Sequence, residues 1–283
     1  MLVSGKEILD AAHQSGYAVG AFNTINLETS QAIIEAAEEE QAPVIIQTSQ
    51  NAIKYAGIEE IYSIVKGLAD KASVPICLHL DHGTDLDVVM QCLRTGWTSV
   101  MYDGSKYELQ ENIDITKRVV ETAHPMGVAV EAELGKIGGV EDHIVVSDKD
   151  ATMTDPNEAI EFVKATNVDY LAIAIGTAHG MYKGKPELDF DRLNTIKKSL
   201  NMPIVLHGAS GISEEDIKKA VSLGVNKINI DTELRLAFQK TMHKLIQDNP
   251  DVYDPRKMLK PTTLAIKEVV KGKIKMFGSC GKA

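Results

Sequence analysis

The stretch that decides the fold spans residues 74–84 and reads V-P-I-C-L-H-L-D-H-G-T. It starts as a short apolar run after a proline, which predicts a strand buried on both faces, as in parallel sheets. It ends with Asp81, His82 and a glycine, and burying such polar groups costs free energy unless a ligand or a function uses them. Because α/β proteins build their sites at the carboxyl ends of parallel strands, the stretch predicts both a sheet type and the position of a site.

The same strand-then-helix pattern recurs along the whole chain. Eight alternations without a Pro-, Gly- or Ser-rich linker predict an α/β TIM (β/α)8 barrel, in a single domain that spans residues 1–283. A doubly wound sheet is less favoured, because polar residues follow nearly every strand instead of gathering at one switch point. The other seven predicted strands lie at residues 17–23, 43–49, 98–103, 127–134, 169–176, 203–208 and 226–231. Predicted helices begin after Ser4 and cover residues 27–41, 58–71, 86–96, 112–124, 156–166, 188–200, 213–224, 234–247 and 262–271.

One segment breaks the alternation. Residues 135–143 read G-K-I-G-G-V-E-D-H and show neither the helical nor the strand period. A stretch of this kind beside a strand end is typical of a functional loop, so we expect a mobile loop here.

Composition excludes several classes of protein. The chain has 283 residues, 44% of them hydrophobic and 25% charged, which is ordinary for a globular protein. Its net charge of −10 argues against a nucleic-acid-binding surface. No apolar run approaches the roughly 18 residues of a membrane span, and no signal peptide is apparent. The three scattered cysteines, Cys77, Cys92 and Cys280, fit a reducing compartment, so we expect a cytoplasmic protein.

Three histidines stand at equivalent places on different predicted strands. His82 follows the third strand, His179 follows the sixth, and His207 lies on the seventh. Each alone is more often a hydrogen-bonded loop residue. Strand ends converge on one face of a barrel, however, so the three imidazoles are expected to meet. Three protein ligands with an open fourth position is the pattern of a catalytic zinc site.

The acidic residues near these histidines leave several roles open. On a regular strand Asp81 should point away from His82, which favours an acid/base or supporting role over that of a fourth ligand. His79 is better explained as a hydrogen-bonded supporting residue. Asp103 and Glu133 end two further strands, and they could bind a second metal, orient a histidine or simply be solvated.

The loops after the last three strands indicate an anion site. They read H-G-M-Y-K-G, H-G-A-S-G-I-S and N-I-D-T. Glycine lets the backbone approach an anion closely, helix N-termini bind phosphate, and barrels commonly place a phosphate at their last strands. The dinucleotide fingerprint, the P-loop and the serine-hydrolase elbow are absent from the sequence. No lysine stands at a strand end, which disfavours a Schiff-base mechanism.

The motifs H-L-D-H-G, S-V-M-Y-D-G-S, V-E-A-E-L-G, G-G-V-E-D, G-T-A-H-G-M-Y-K-G, L-H-G-A-S-G-I, K-I-N-I-D-T and Y-D-P-R-K stand in this order along the chain. In combination, and over essentially the whole chain, they resemble the class II, metal-dependent fructose-bisphosphate/tagatose-bisphosphate aldolase family. The resemblance implies a TIM barrel, a lyase activity and reversible cleavage of a ketose bisphosphate into dihydroxyacetone phosphate and glyceraldehyde 3-phosphate.

The resemblance also implies roles for individual residues. His82, His179 and His207 match the Zn²⁺ ligands, and Asp103 and Glu133 match a secondary metal site. Asp81 matches the acid/base at the aldehyde oxygen, and Glu141 matches the loop carboxylate that moves the proton on the dihydroxyacetone phosphate carbon. A monovalent cation, Na⁺ or K⁺, usually lies near the substrate. Residues implied to bind substrate are Asn23, Ser49, Gly180, Lys183, Gly208, Ala209, Ser210, Asn229, Ile230, Asp231, Thr232 and Arg256. Because Arg256 resembles an arginine that reaches a neighbouring subunit, a homodimer or homotetramer is expected.

Fructose 1,6-bisphosphate is the substrate that the sequence favours. Asp231 in N-I-D-T is typical of fructose-type enzymes, which act in glycolysis and gluconeogenesis, whereas tagatose-type enzymes tend to carry alanine there. The alternatives are a tagatose 1,6-bisphosphate aldolase of galactitol-type catabolism and an aldolase of another phosphorylated keto compound, such as an inositol-catabolism intermediate. More remote are a zinc hydrolase and a non-catalytic barrel that binds sugar phosphates.

Overall fold

The computed structural model describes residues 1–141, 144–147, 149, 151–180, 182, 184 and 186–283. Eight parallel strands close into a barrel, which confirms the predicted fold. The barrel strands are, in chain order, β1 Val19–Asn23, β2 Val44–Ser49, β3 Ile76–Gly83, β4 Ser99–Tyr102, β5 Ala129–Leu134, β8 Tyr170–Ile173, β10 Ile204–Leu206 and β11 Val225–Ile230. Three short strands outside the barrel are β6 Gly138–Glu141, β7 Ile144–Val146 and β9 Ala178–His179. The ring follows the order β1-β11-β10-β8-β5-β4-β3-β2.

Helices surround the ring. They are α1 Gly5–Ser15, α2 Leu27–Glu39, α3 Gln50–Ala56, α4 Ile58–Ala69, α5 Leu86–Thr95, α6 Leu109–Ala123, α7 Pro156–Thr166, α8 Phe190–Leu200, α9 Glu214–Ser222, α10 Thr232–Asp248 and α11 Pro255–Phe277. Helix α1 begins after Ser4, as predicted, and the Ser4 side chain caps it by accepting a hydrogen bond from the Lys6 amide. None of the described helices is long and apolar enough to cross a bilayer.

Two apolar layers hold the barrel together. The larger fills the space between the strands and the helices and includes Leu78, Leu80 and Val100. The smaller lies inside the lower half of the barrel, where Leu9 of α1 packs against Val19 and Val205. Helix α1 therefore closes the amino-terminal end of the barrel, which we call the floor. The interior above this layer is polar, and it opens at the carboxyl-terminal end, which we call the mouth.

The segment predicted as an unpaired mobile loop contains extended structure. Strand β6 pairs antiparallel with β7 and parallel with β9, so that a three-stranded sheet stands above the barrel. Gly139 has φ +103°, and a Cβ atom there would lie 2.2 Å from the His179 carbonyl oxygen. The pairing with β9 was not apparent in the sequence because that strand lies about forty residues away.

Two helix assignments also need correction. Helix α3 was not predicted, although Ser49 caps it by accepting a hydrogen bond from the Ala52 amide. Helix α11 begins at Pro255, capped by Asp254, instead of at residue 262. Pro261, directly before the predicted start, lies inside the helix, where it only lacks one backbone donor.

Candidate active site

Three buried imidazoles meet at the mouth of the barrel. His82 comes from the end of β3, His179 from β9 and His207 from the residue after β10. One nitrogen from each ring lies within 4.8 Å of the others. The ring centroid of His82 lies 5.0 Å from that of His179 and 4.6 Å from that of His207. The structure thus brings together residues that are 125 positions apart in the chain.

The orientation of two of these rings leaves a nitrogen of each facing the other. His82 Nδ1 lies 2.9 Å from Asp103 Oδ2, and His207 Nε2 lies 2.7 Å from Glu131 Oε1. The other two nitrogens, His82 Nε2 and His207 Nδ1, are 2.9 Å apart. If each carboxylate receives an N–H, two lone pairs face each other, an arrangement that a shared proton or a metal cation stabilises. The donor set and its burial therefore fit a zinc-like ion with an open coordination position.

The charges around the site differ for the two rings. Burial lowers the pKa of His82, but the hydrogen bond to Asp103 and the charges of Asp81 and Glu133 raise it well above its usual value. Burial is the main reason why the pKa of His207 falls, although Glu131 opposes the shift. The His82 bond holds the pKa of Asp103 well below its usual range against the effect of burial. A cation at His82 would thus replace a proton that this site attracts.

A second donor group adjoins the first. His82, Asp103 and Glu133 also bring three ligand atoms within 4.8 Å of one another, all of them buried. The prediction that these two carboxylates hold a secondary metal is compatible with this geometry. So is the alternative that Asp103 orients His82, since the two are hydrogen-bonded.

Asp81 is held by amide groups inside the barrel. Its Oδ2 accepts from Asn23 at 2.9 Å and from Gln47 at 3.1 Å, and its Oδ1 accepts from Asn229 at 3.1 Å. The expectation that strand alternation would turn Asp81 away from His82 is wrong. His82 has a φ of +48°, and the β3–β4 register shifts between Leu80 and Gly83. This left-handed residue breaks the alternation, so that both side chains reach the mouth.

A layer of charged residues under the imidazoles was not predicted. Glu131 and Lys227 are completely buried and lie 2.8 Å apart, from Oε2 to Nζ. His79 lies beside them, with Nδ1 2.6 Å from Ser99 Oγ and Nε2 3.4 Å from Glu131 Oε2. This arrangement agrees with the supporting role expected for His79. The missed signal was a charged residue at an inward position of each of two barrel strands.

The glycine-rich loops lie beside the imidazoles. Gly208 has φ +63°, and a Cβ atom there would lie 2.5 Å from the Ala178 carbonyl oxygen, so the two loops approach too closely for a side chain. Tyr182, which sequence analysis did not single out, donates to the Gly208 carbonyl at 2.7 Å and accepts from the Ala178 amide at 2.9 Å. Gly180 also has a positive φ, +85°. These contacts hold the predicted phosphate loops against each other.

The remaining predicted substrate residues occupy different settings. Ala209, Ser210, Asn229 and Ile230 are buried near the mouth. Asp231 and Thr232 begin α10, where Asp231 pairs with Arg235 at 2.8 Å. Asn23 bonds to Asp81, and Ser49 caps α3.

One predicted residue, Arg256, makes its described contacts outside the site, and two others fall wholly or partly outside the described residues. Arg256 is exposed at the start of α11, where its guanidinium bonds to Asp254. Lys183 lies outside the described residues. Glu141 ends β6, and its side chain lies outside the described part of the chain. The roles implied for these three residues remain predictions.

Comparisons with known proteins agree on a family. The family model described as fructose-bisphosphate aldolase class-II matches residues 3–282. A fructose-bisphosphate aldolase from Thermus caldophilus is 50% identical over the full length of both chains. A sulfofructosephosphate aldolase from Alkalicoccus urumqiensis is 46% identical and covers 99% of this chain and 98% of that protein. The crystal structure of the YdjI aldolase from Escherichia coli K12 matches with a TM-score of 0.86 at 37% identity, over 100% of both chains.

Proposed function

The chain belongs to the class II fructose-bisphosphate aldolase family, a family of metal-dependent lyases, and we propose that it reversibly cleaves fructose 1,6-bisphosphate into dihydroxyacetone phosphate and glyceraldehyde 3-phosphate. The single observation that carries this proposal is the convergence of His82, His179 and His207 beside the buried carboxylate of Asp81.

Three imidazoles would hold the divalent cation, for which we propose Zn²⁺. Bound there, it would supply a Lewis acid for the negative charge that develops when the carbon–carbon bond breaks, an effect worth several kcal/mol. The protein fixes His82 and His207 through Asp103 and Glu131, so that one nitrogen of each ring faces the ion. Because the rings are buried, water has limited access to the reacting carbon.

Asp81 takes the proton from the substrate hydroxyl during cleavage and returns it to the aldehyde oxygen during condensation. Its two oxygens accept three amide hydrogen bonds, which hold the carboxylate in one orientation. A positioned general base of this kind contributes about 10²–10⁴-fold to a rate. Glu141 at the end of β6 moves the proton at the dihydroxyacetone phosphate carbon, as the family resemblance implies.

The phosphate of the dihydroxyacetone end lies at Gly180, Gly208 to Ser210 and the N-terminus of α10, with Na⁺ or K⁺ nearby. The close packing of the two loops through Tyr182 supports this placement, since it brings together glycine residues that let an anion approach the backbone. Ser49 and a partner subunit's copy of Arg256 complete the site for the second phosphate, so the active form is a homodimer or homotetramer. Lys183 also binds the substrate. The enzyme acts in the cytoplasm, in glycolysis and gluconeogenesis.

A second substrate has support from one relative. The sulfofructosephosphate aldolase is about as similar to this chain as several fructose-bisphosphate aldolases are, at 46% identity. Both substrates share the dihydroxyacetone phosphate half, and they differ in the anion at the other end. The tagatose alternative has no comparable support among the relatives that we compared.

The test compares cleavage of three substrates, each with and without a chelator: fructose 1,6-bisphosphate, tagatose 1,6-bisphosphate and 6-deoxy-6-sulfofructose 1-phosphate. We expect chelator-sensitive cleavage with kcat/KM highest for fructose 1,6-bisphosphate. A higher value for the sulfonate would move the substrate assignment and keep the mechanism. Cleavage that resists the chelator, or trapping of a lysine adduct by borohydride, would refute the mechanism.

A further inference from the structure

Lys227 is a buried lysine that neither the proposed ligand set nor the proposed acid/base uses. It lies on β11 inside the barrel, below the imidazoles, and its side chain has no exposed surface. Its Nζ is 2.8 Å from Glu131 Oε2 and 2.8 Å from Asn229 Oδ1. A buried ammonium is costly unless it is paired, so its position between two polar partners requires an explanation.

The first partner connects Lys227 to a predicted metal ligand. Lys227 Nζ and Glu131 Oε2 form an ion pair at 2.8 Å, and an ammonium, which has only donors, requires an oxygen atom to face it at that distance. The other oxygen of this carboxylate, Oε1, lies 2.7 Å from His207 Nε2. A carboxylate there accepts a hydrogen bond, so the proton of His207 sits on Nε2. The lone pair on Nδ1 is left facing His82 and the proposed ion.

The second partner connects Lys227 to the proposed acid/base. Because the ammonium can only donate, it holds the amide of Asn229 with Oδ1 toward the lysine. The amide nitrogen then points to Asp81, and it donates to Oδ1 of that carboxylate at 3.1 Å. Turning the amide around would place its N–H groups against the ammonium and its oxygen against the carboxylate.

We propose that Lys227 is a positioning residue that fixes the first group of both chains, the carboxylate of Glu131 through an ion pair and the amide of Asn229 through a hydrogen bond. Through Glu131 it keeps His207 with Nδ1 open to a metal, and through Asn229 it orients the carboxylate of Asp81. One buried ammonium therefore aligns a metal ligand and the acid/base on opposite sides of the barrel interior. The Asp81 half of this inference rests on the proposed aldol cleavage, whereas the His207 half requires only metal binding.

A simpler explanation is that Lys227 only balances the charge of Glu131. The variant Glu131→Gln separates the two explanations. With Lys227 in place, the ammonium should hold the oxygen of the introduced side-chain amide, so that the N–H₂ group of this amide faces His207 and forces its proton onto Nδ1. Charge balance alone predicts no such reversal.

The primary readout is the tautomer of His207 in metal-free protein, observed by ¹⁵N NMR of the histidine side chains at pH 8. We expect the proton on Nε2 in the unmodified protein and on Nδ1 in Glu131→Gln. In the double variant Lys227→Met/Glu131→Gln we expect a mixture of the two neutral tautomers, one with the proton on Nε2 and one with it on Nδ1. The double variant removes both buried charges, which keeps the test open if the single variant does not fold. Retention of Nε2–H alone in either variant would overturn the proposal.

Two further measurements use the same variants. In competition with a chelator, both should bind Zn²⁺ about 10–100-fold more weakly than the unmodified protein. With Zn²⁺ saturating, kcat of the double variant should fall at least about tenfold with little change in KM, since Asp81 loses its fixed donor. Unchanged zinc affinity and unchanged kcat in the double variant would show that Lys227 only balances the charge of Glu131 and positions neither group.

The matched control is Lys197→Met. Like Lys227, Lys197 bonds to an asparagine, since its Nζ lies 2.7 Å from Asn226 Oδ1, but it does so on the floor of the barrel. Its Nζ also lies 2.8 Å from His13 Nδ1. We expect no change in zinc affinity or in kcat. Unmodified protein that binds Zn²⁺ without cleaving the sugar would refute the proposed function, and the tautomer result would still decide the role of Lys227.

Discussion

The mouth and the floor of the barrel contain the same kinds of side chain and differ in how these side chains are paired. The floor carries a large cavity, about 600 Å³, lined by Lys6, His13, His124 and Asp169 among others. There two bases share one acidic residue: His124 Nε2 lies 2.9 Å from Asp169 Oδ2, and Lys6 Nζ lies 3.5 Å from Oδ1 of the same residue. At the mouth three imidazoles converge on one point instead.

This difference shows why the volume of a cavity is a poor guide to chemistry here. Pairs of opposite charge on the floor neutralise each other and leave no set of donors for a ligand among the residues that the structure describes. Within the same described residues, the groups of three potential metal ligands all include His82 at the mouth. A metal cation bound by all three imidazoles would stabilise their close approach, and the geometry therefore predicts a metal ion at the mouth.

The largest expected effect comes from removing one imidazole of the mouth. His179→Ala should lose the metal and reduce kcat/KM by about 10⁴-fold, which corresponds to the several kcal/mol that a Lewis acid supplies. Metal content per chain and cleavage rate check this. The matched change on the floor, His124→Ala, should leave both values unchanged. A fully metallated His179→Ala protein would remove this residue from the ligand set.

The next effect separates the acid/base from the metal centre. Asp81→Ala should retain the metal, because His82 is oriented by Asp103 and not by Asp81. Its kcat should fall on the order of 10³-fold, within the usual contribution of a general base. The control Asp169→Asn changes a carboxylate on the floor and should keep normal turnover. Near-normal cleavage by metallated Asp81→Ala would refute the acid/base assignment.

A smaller effect tests the supporting carboxylates. Asp103→Asn replaces the acceptor that lies 2.9 Å from His82 Nδ1. We expect metal affinity to fall by about tenfold, because loss of a carboxylate that orients a ligand costs about 10–100-fold. Competition with a chelator measures the change. An increase in affinity would show that Asp103 acts against the proposed ion instead of supporting it.

The smallest expected effect is on the pH dependence of stability, and it comes from a lysine on the floor, Lys197. Burial lowers the pKa of Lys197 to about 8 from 10.5. Between these values the unfolded chain binds more protons than the folded one, so this lysine makes the free energy of unfolding increase as pH rises from about 8 to 10.5. The increase should be modest, since the side chain is partly exposed. Denaturant titrations should show a shallower pH dependence in Lys197→Met, and an equal slope in both proteins would contradict the account.

The sequence predicted the barrel and the location of the site because both depend on local patterns. Short apolar runs alternate with helical periods, and polar residues follow the strands. These signals placed His82, His179 and His207 together without any knowledge of the ring order. The left-handed φ of His82 could not be predicted, since it depends on the shift of register against β4.

The buried layer below the imidazoles was harder to predict for a related reason. Glu131 and Lys227 lie on β5 and β11, which are not neighbours in the ring, so their contact crosses the barrel interior. In the sequence, each is only a charged residue within a predicted strand. Their pairing, and the connection of Lys227 to Asp81 through Asn229, forms only when the barrel is closed.

The most direct test of the central claim, that the three imidazoles hold one catalytic metal ion, is a titration of metal-free protein with Zn²⁺. Cleavage of fructose 1,6-bisphosphate should be absent at first and should increase linearly until one equivalent of Zn²⁺ per chain has been added. The same titration of His179→Ala should show no increase. Cleavage at full rate before any metal is added, or equal activation of His179→Ala, would contradict the account.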